Sequence, residues 1–380
     1  MTTSTITEAR RHALDRAVRE AHVLVTTGAG GVGKTTTAAA IGVAAALEGR
    51  RTLVLTIDPA RRLAQAMGLE TLEDEPSQVD LGEYTGPGEL WAMMLDMQTT
   101  FDRLIDTNAS SPAEAAAIKN NRIYRTLSSS LSGTQEYMAM ERLHELHETG
   151  AWDLLVIDTP PTRSALDFLD APKRMTSFLE GRLLRLLLKP GMAAGRGIGR
   201  VVGAGATAFI RVAGKVTGMD LLDDLAEFFR QFEGMYEGFK ERAEQVLELL
   251  RDPDSRFVVV TSPDPPPLRE ARFFLERLQQ EGLHPAGLVV NRIRPELPRD
   301  PTDAAVARAV DALDDDANAG ALRLLIDIRN LANRQRRDVA ASLYGVDLRS
   351  LVEVPLLGGD VHDLAGLRTI ATTLMTGRSR

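Results

Sequence analysis

The chain has 380 residues, 44% of them hydrophobic and 26% charged, the balance of a folded globular protein long enough for two or three units or for one large α/β domain with an insertion. Its 53 carboxylates against 45 Lys and Arg give a net charge of −8, which excludes a chain built mainly to coat nucleic-acid phosphates, so no nucleic acid partner is expected. There is no cysteine, which excludes disulfides, thiolate-bound metal and cysteine nucleophiles and fits a reducing cytoplasm. No run reaches the roughly 18 apolar residues of a spanning helix, and the start MTTSTITEARRHALDRAVREAH mixes acids and bases where a signal peptide needs an apolar core. A cytoplasmic location is therefore expected, peripheral at the membrane only where a surface helix or a partner brings the chain there.

The first β-rich run is Ala21–Thr27, and a glycine-rich loop follows it directly. TGAGGVGKTT, Thr27 to Thr36, fits G-x-x-x-x-G-K-S/T and opens a helical run, TTTAAAIGVAAALE. Gly28, Ala29, Gly30, Gly31, Val32, Gly33, Lys34, Thr35 and Thr36 form a phosphate cradle, because glycines let consecutive amides converge on phosphate oxygens and the helix adds the positive end of its dipole. Lys34 is expected to reach the β- and γ-phosphates of a nucleotide, and Thr35 to place its hydroxyl on Mg²⁺.

The next runs are Thr52–Ile57 and Glu89–Met97, then Leu154–Asp158. Asp58 and Asp158 follow buried-strand sequences, where a parallel sheet delivers carboxylates to the edge that binds ligands. Asp158 is the candidate metal carboxylate; Asp58 is the candidate for positioning the attacking water, with an indirect contact to the metal. His144 and His147, i and i+3 on one helical face, lack a third ligand nearby in sequence and read as a solvated face.

Between 171 and 252 the alternation of strand and helix breaks, and this stretch reads as a helical insertion. Gly181–Met219 carries no Asp or Glu but seven Lys and Arg among apolar residues and glycines; Leu221–Leu250 has the steps of three and four of a long amphipathic helix. Met175, Met192, Met219 and Met235 fall in or beside it, as core filling or as the lining of an adaptable groove. Strand runs resume at Arg256–Thr261, Ala286–Asn291 and Leu351–Pro355. Arg334, Arg336 and Arg337 cluster on an expected helix face, and the amphipathic C-terminal run through Leu364, Leu367, Ile370 and Leu374 reads as a docking helix or as a membrane-binding tail. The expected fold is therefore α/β, a P-loop NTPase with a mostly parallel sheet flanked by helices and a helical insertion: residues 1–170 and 253–380 form the nucleotide-binding domain, and 171–252 the insertion.

With these segments placed, the chain resembles the ATPases that drive arsenical pumps and their relatives that target tail-anchored membrane proteins, within the deviant Walker A class of P-loop NTPases. The matching pieces are GAGGVGKTT at Gly28–Thr36, DPARRLAQAM at Asp58–Met67, SGTQE at Ser132–Glu136, DTPPTRSALDFL at Asp158–Leu169, VVNR at Val289–Arg292 and VPLL at Val354–Leu357. The resemblance implies an ATPase using ATP and Mg²⁺, with Asp58 activating water and Asn291, beside Arg292, hydrogen-bonding the adenine. It also implies that Pro355 and Leu356 pack on the base and that a client binds through 171–252. Three departures stand out. The family's loop begins Gly-Lys-Gly-Gly, and that lysine reaches the partner's nucleotide across a dimer; here the position is Ala29. The resemblance thus points to a dimer with a paralogous ATPase that keeps the lysine, with a homodimer as the alternative. The second switch has Pro160, Arg163, Ser164 and Ala165 where relatives carry Ala, Gly, His and Thr. Without cysteine, neither thiolate-bound arsenite nor the zinc clamp of some targeting homodimers is expected. The alternatives to an active ATPase handling a protein or membrane client are an ATP-binding regulatory or scaffold subunit and a membrane-positioning ATPase of the septum-site type.

Overall fold

The structure, a computed structural model, describes residues 13–57, 62–84, 86–121, 124, 134–159, 236–298, 300–312, 316–346, 348 and 350–376. Asp58, Arg163 and most of the expected insertion, with all four of its methionines, lie outside the described residues. Chain contacts divide the protein into two compact units, one of Met1–Met94, Leu146–Ala165 and Leu250–Arg380, the other of Leu95–Glu145 and Leu166–Leu249.

The first unit is an α/β layer structure. Its strands are β1 (Val23–Thr27), β2 (Arg51–Thr56), β3 (Ser77–Gln78), β4 (Glu89–Met94), β5 (Leu154–Asp158), β6 (Ser255–Thr261), β7 (Pro285–Ile293) and β8 (Leu351–Pro355). They form one eight-stranded sheet in the order β3-β4-β2-β5-β1-β6-β7-β8, parallel except for the two-residue edge strand β3. The seven expected strands are all present, with ends moved by a few residues. The expected Glu89–Met97 run stops at Met94 because Asp96 caps the next helix, accepting from the Thr99 amide at 2.6 Å. VLVTT and LLVID are buried along their whole length, as central parallel strands covered on both faces must be.

The helix after the loop, α1 (Lys34–Leu47), presents Ala38, Ala39, Ala40, Ala44, Ala45 and Ala46, all buried. Small side chains let it lie close to the sheet: a Cβ on Gly42 would sit 2.5 Å from the Val54 side chain. The Leu24, Val54, Val156, Val258, Val289 and Val352 side chains share a core with α1. The same core holds Leu367, Ile370 and Leu374 of the C-terminal helix, labelled α10 (Leu364–Thr376). The apolar stripe of α10 is thus covered by the protein itself. Between these lie α2 (Arg62–Ala66), which follows β2, and α7 (Pro265–Gln280), which packs on β6 and β7. Next come α8 (Asp303–Asp311) and the 27-residue α9 (Asp316–Ser342), whose buried Arg329 donates to the Pro301 carbonyl at 2.9 Å and to Asp303 at 2.8 Å. Arg336, from the expected basic cluster, donates to the Arg294 carbonyl at 3.0 Å, while Arg334 and Arg337 are exposed.

The second unit is helical in its described residues: α3 (Met97–Asn108), α4 (Pro112–Asn120), most of α5 (Thr134–Glu148) and most of α6 (Tyr236–Arg251). Helix α6 is the described part of the expected Leu221–Leu250 helix. Buried Glu141 on α5 receives a 2.8 Å ion pair from Arg242 on α6. Burial pushes the Glu141 carboxyl up to about 6, although Arg242 opposes that shift. No described helix is long and apolar enough to cross a membrane.

Candidate functional site

The loop between β1 and α1 leaves the centre of the sheet, where β1 lies between β5 and β6. The chain passes from β1 over β5 to reach β2, and from β5 over β1 to reach β6, so the connections diverge about this point. Ligands in open α/β sheets bind at such a divergence, at the carboxyl ends of the strands. Gly28 has φ of 149°, and a Cβ there would stand 2.0 Å from the Val260 carbonyl oxygen. Gly33, at the N-terminal end of α1, has φ of 97° and ψ of 31°, and a Cβ there would stand 2.2 Å from Asn291 Nδ2. Both positions therefore need glycine for space as well as for conformation. Gly33 supplies no side chain to cap the helix, which leaves the first amides of α1 available to an anion.

Lys34 is buried beneath the loop and donates to the Gly28 and Ala29 carbonyls at 3.1 and 3.0 Å. One residue on, the Thr35 hydroxyl donates to Asp158 Oδ2 at 2.7 Å. Asp158 is fully buried at the end of β5, and its Oδ2 also accepts from the Thr56 hydroxyl at 3.0 Å. Two further threonines tie the central strand ends together: Thr159 donates to the Thr26 carbonyl at 2.7 Å, and Thr26 donates to the Ile157 carbonyl at 3.2 Å. Motif reading passed over Thr26 and Thr56, and gave Thr159 only as part of the DTPPTRSALDFL run, with no role of its own. Their only trace in the sequence is threonine at the carboxyl ends of VLVTT and RTLVLT and just after LLVID.

On the other flank, Asn291 at the end of β7 donates from Nδ2 to the Val32 carbonyl at 2.9 Å, and its Oδ1 accepts from the Arg292 amide at 3.0 Å. Both ends of this amide are thus engaged within the protein, bracing the loop. Arg292 holds a left-handed φ of 59°, and its guanidinium donates to the Gly31 carbonyl at 3.3 Å. Pro355 pairs with Ile293 in the sheet, and the next residue, Leu356, is 44% exposed and donates its amide to the Ile293 carbonyl at 2.8 Å. Ala29 presents a buried methyl, while Gly30 and Gly31 are exposed at the loop tip and Val32 is buried beside them. Thr36 is half-buried in the first turn of α1. Hydrogen bonds join the loop to Asp158 through Thr35 and to Asn291 and Arg292 on the other flank; Pro355 and Leu356 meet Ile293, two residues beyond Asn291, and Asp58 lies outside the described residues. Among the described residues no group of three or more His, Asp and Glu is placed to hold a metal ion.

These residues fit a magnesium nucleotide. The loop offers converging amides and a buried ammonium for phosphate oxygens, and a hydroxyl bonded to a carboxylate is a suitable donor set for a hard cation that keeps much of its water. Fold and loop define a P-loop nucleotide-binding α/β protein. A family profile described as anion-transporting ATPase matches residues 21–313, and the chain belongs to that family. The chain is 31% identical to an uncharacterized protein of Streptomyces coelicolor over 72% of its own length and 63% of that protein's. It is 23% identical to putative arsenical pump-driving ATPase 2 of Aquifex aeolicus, over 72% of this chain and 80% of that one. With ATPase get3 of Aspergillus terreus the identity is 26%, over 70% of this chain and 71% of the relative. The match to the Streptomyces protein thus spans less than two thirds of that relative's length.

Proposed function

We propose that this protein is a magnesium-dependent ATPase whose cycle of ATP binding and hydrolysis switches what its helical part holds. The observation that carries this reading is the 2.7 Å contact between Thr35 and Asp158 at the foot of the glycine loop, with Lys34 buried beside it. The loop amides from Gly28 to Thr35 bind phosphate oxygens, and Lys34 adds a positive charge in a site shielded from water. Thr35 gives its one hydroxyl proton to Asp158, which leaves the lone pairs of its oxygen for a cation. Magnesium, when bound, neutralises charge on the β- and γ-phosphate oxygens. By family resemblance Asp58 orients the attacking water, and Asn291, Arg292, Pro355 and Leu356 border the base. The client is a hydrophobic protein segment or a membrane component reached through 171–252, and the protein works in the cytoplasm, peripheral to the membrane when engaged. Relatives named as pump-driving and get3 ATPases support this class of work.

Two measurements test the reading. Calorimetric titration with Mg-ATP is expected to give saturable binding that Lys34→Ala abolishes, and Asp58→Asn is expected to bind ATP while losing turnover. Absence of heat from folded wild-type protein would overturn the assignment. Ala29 favours a second element, pairing with a paralogous ATPase that keeps the loop lysine, because a buried methyl supplies no charge to a partner's nucleotide. A native complex containing one kind of chain with full turnover would remove that pairing. The regulatory-subunit reading is distinguished by turnover that is negligible and indifferent to Asp58→Asn.

A further inference from the structure

Thr56 belongs to none of the motifs that define the loop or its metal carboxylate, yet it bonds to that carboxylate directly. It closes β2, where the register sets Thr56 beside Asp158 and, on the far side of β5, Thr26 beside the same residue. Its hydroxyl donates to Asp158 Oδ2 at 3.0 Å, the same oxygen that accepts from Thr35 at 2.7 Å. A carboxylate oxygen has two in-plane lone pairs, and two hydroxyl donors occupy both, fixing the plane of the carboxylate. Thr56 and Asp158 are both buried, so these hydrogen bonds act at low dielectric, where they hold geometry most strongly. Thr56 also stands two residues before Asp58.

We propose that Thr56 is a positioning residue for the metal: by fixing Asp158 Oδ2 it fixes the direction in which Thr35 gives its proton, and so aims the lone pairs of Thr35 at the cation. The assignment rests on the magnesium-nucleotide reading of the site and adds a residue to it. A threonine that only filled the strand end would leave the metal dependence of binding unchanged. A threonine that positions Asp158 acts on the metal-dependent part of binding alone.

The test compares ATP binding in excess EDTA with ATP binding in excess Mg²⁺, by calorimetry, for wild type, Thr56→Val and Thr56→Ser, with thermal unfolding to verify each fold. Thr56→Val keeps the branched shape and removes the hydroxyl. It is expected to bind ATP in EDTA within about twofold of wild type and to lose roughly tenfold of the tightening that Mg²⁺ gives, the effect of one hydrogen bond to a charged group. Thr56→Ser, which restores the hydroxyl, is expected to recover that tightening, and Thr56→Ala repeats the valine measurement with a smaller side chain should valine disturb the fold. Full Mg²⁺-dependent tightening in the folded valine or alanine variant overturns the assignment, as does an equal loss in EDTA and in Mg²⁺. A folded wild type that binds ATP equally with and without Mg²⁺, or not at all, overturns the site reading and this assignment with it.

Discussion

Gly33 and Gly31 both hold positive φ, 97° and 75°, but only one of them is also crowded. A Cβ on Gly33 meets Asn291 Nδ2 at 2.2 Å, whereas one on Gly31 meets nothing within 4 Å. Gly31→Ala therefore costs backbone strain alone, about 1–2 kcal/mol. Gly33→Ala adds the displacement of Asn291 and the loss of its bond to Val32, and is expected to lower the melting temperature further and to weaken ATP binding more than Gly31→Ala; paired thermal and calorimetric measurements check the order. At Asp158 charge and shape can be separated. Asparagine can present its oxygen to Thr35 and Thr56 and keep both hydrogen bonds, so Asp158→Asn is expected to fold. Without the negative charge near the metal, steady-state turnover is expected to fall on the order of 10²-fold or more.

Between elements, one buried carboxyl of the helical unit is held well above its ordinary value. Glu141 on α5 faces Arg242 on α6, with Arg142 and Glu145 on its own helix, and its carboxyl is raised to about 6 chiefly by burial. Because the folded value lies above the ordinary one near 4.5, the folded state keeps its proton while the unfolded chain loses it. Stability from this group is therefore highest below about pH 4.5, falls between 4.5 and 6, and is lower by about 2 kcal/mol above that window. Glu141→Gln cannot ionise, so denaturant unfolding across this window is expected to show a flatter pH dependence in the variant than in wild type. In the other unit, α10 buries Leu367, Ile370 and Leu374 against α1. Leu367→Ala is expected to cost about 2–5 kcal/mol, the range for truncating a buried leucine, read as a lower urea midpoint with unchanged slope.

Over the whole molecule, what was legible in the sequence is what is local in the chain. The loop fits one ten-residue window and Asp158 closes an apolar run, whereas Asn291 and Pro355 are pointed to by the family resemblance of VVNR and VPLL. The hydrogen bond from Thr56 to Asp158 and the brace from Asn291 to Val32 join residues 102 and 259 positions apart, and they depend on a strand order that no local pattern specifies. Strand β3 is too short to show a period, and the company that α3 and α4 keep with α6 follows from contacts across a long stretch of chain. The strand order also fixes where the two tryptophans lie. Trp91 and Trp152 flank Arg51, whose guanidinium is 5.6 and 4.9 Å from their rings, at the start of β2 and so at the edge of the sheet opposite the phosphate loop. From Arg51 to Thr56 the strand runs roughly 17 Å, while Trp91, level with Leu53 in the sheet, stands roughly 10 Å along the strand from Thr56. Tryptophan emission of the folded protein is therefore expected to stay unchanged when Mg-ATP binds, yet both reporters sit in the unit that carries the loop and follow its unfolding. A ligand at about 100 times its dissociation constant stabilises the state it binds by about 2.7 kcal/mol, and the urea midpoint of tryptophan-detected unfolding should rise accordingly. Lys34→Ala is expected to abolish that rise while leaving the emission spectrum as it was; an equal rise in the variant and in wild type would place the nucleotide elsewhere than at this loop.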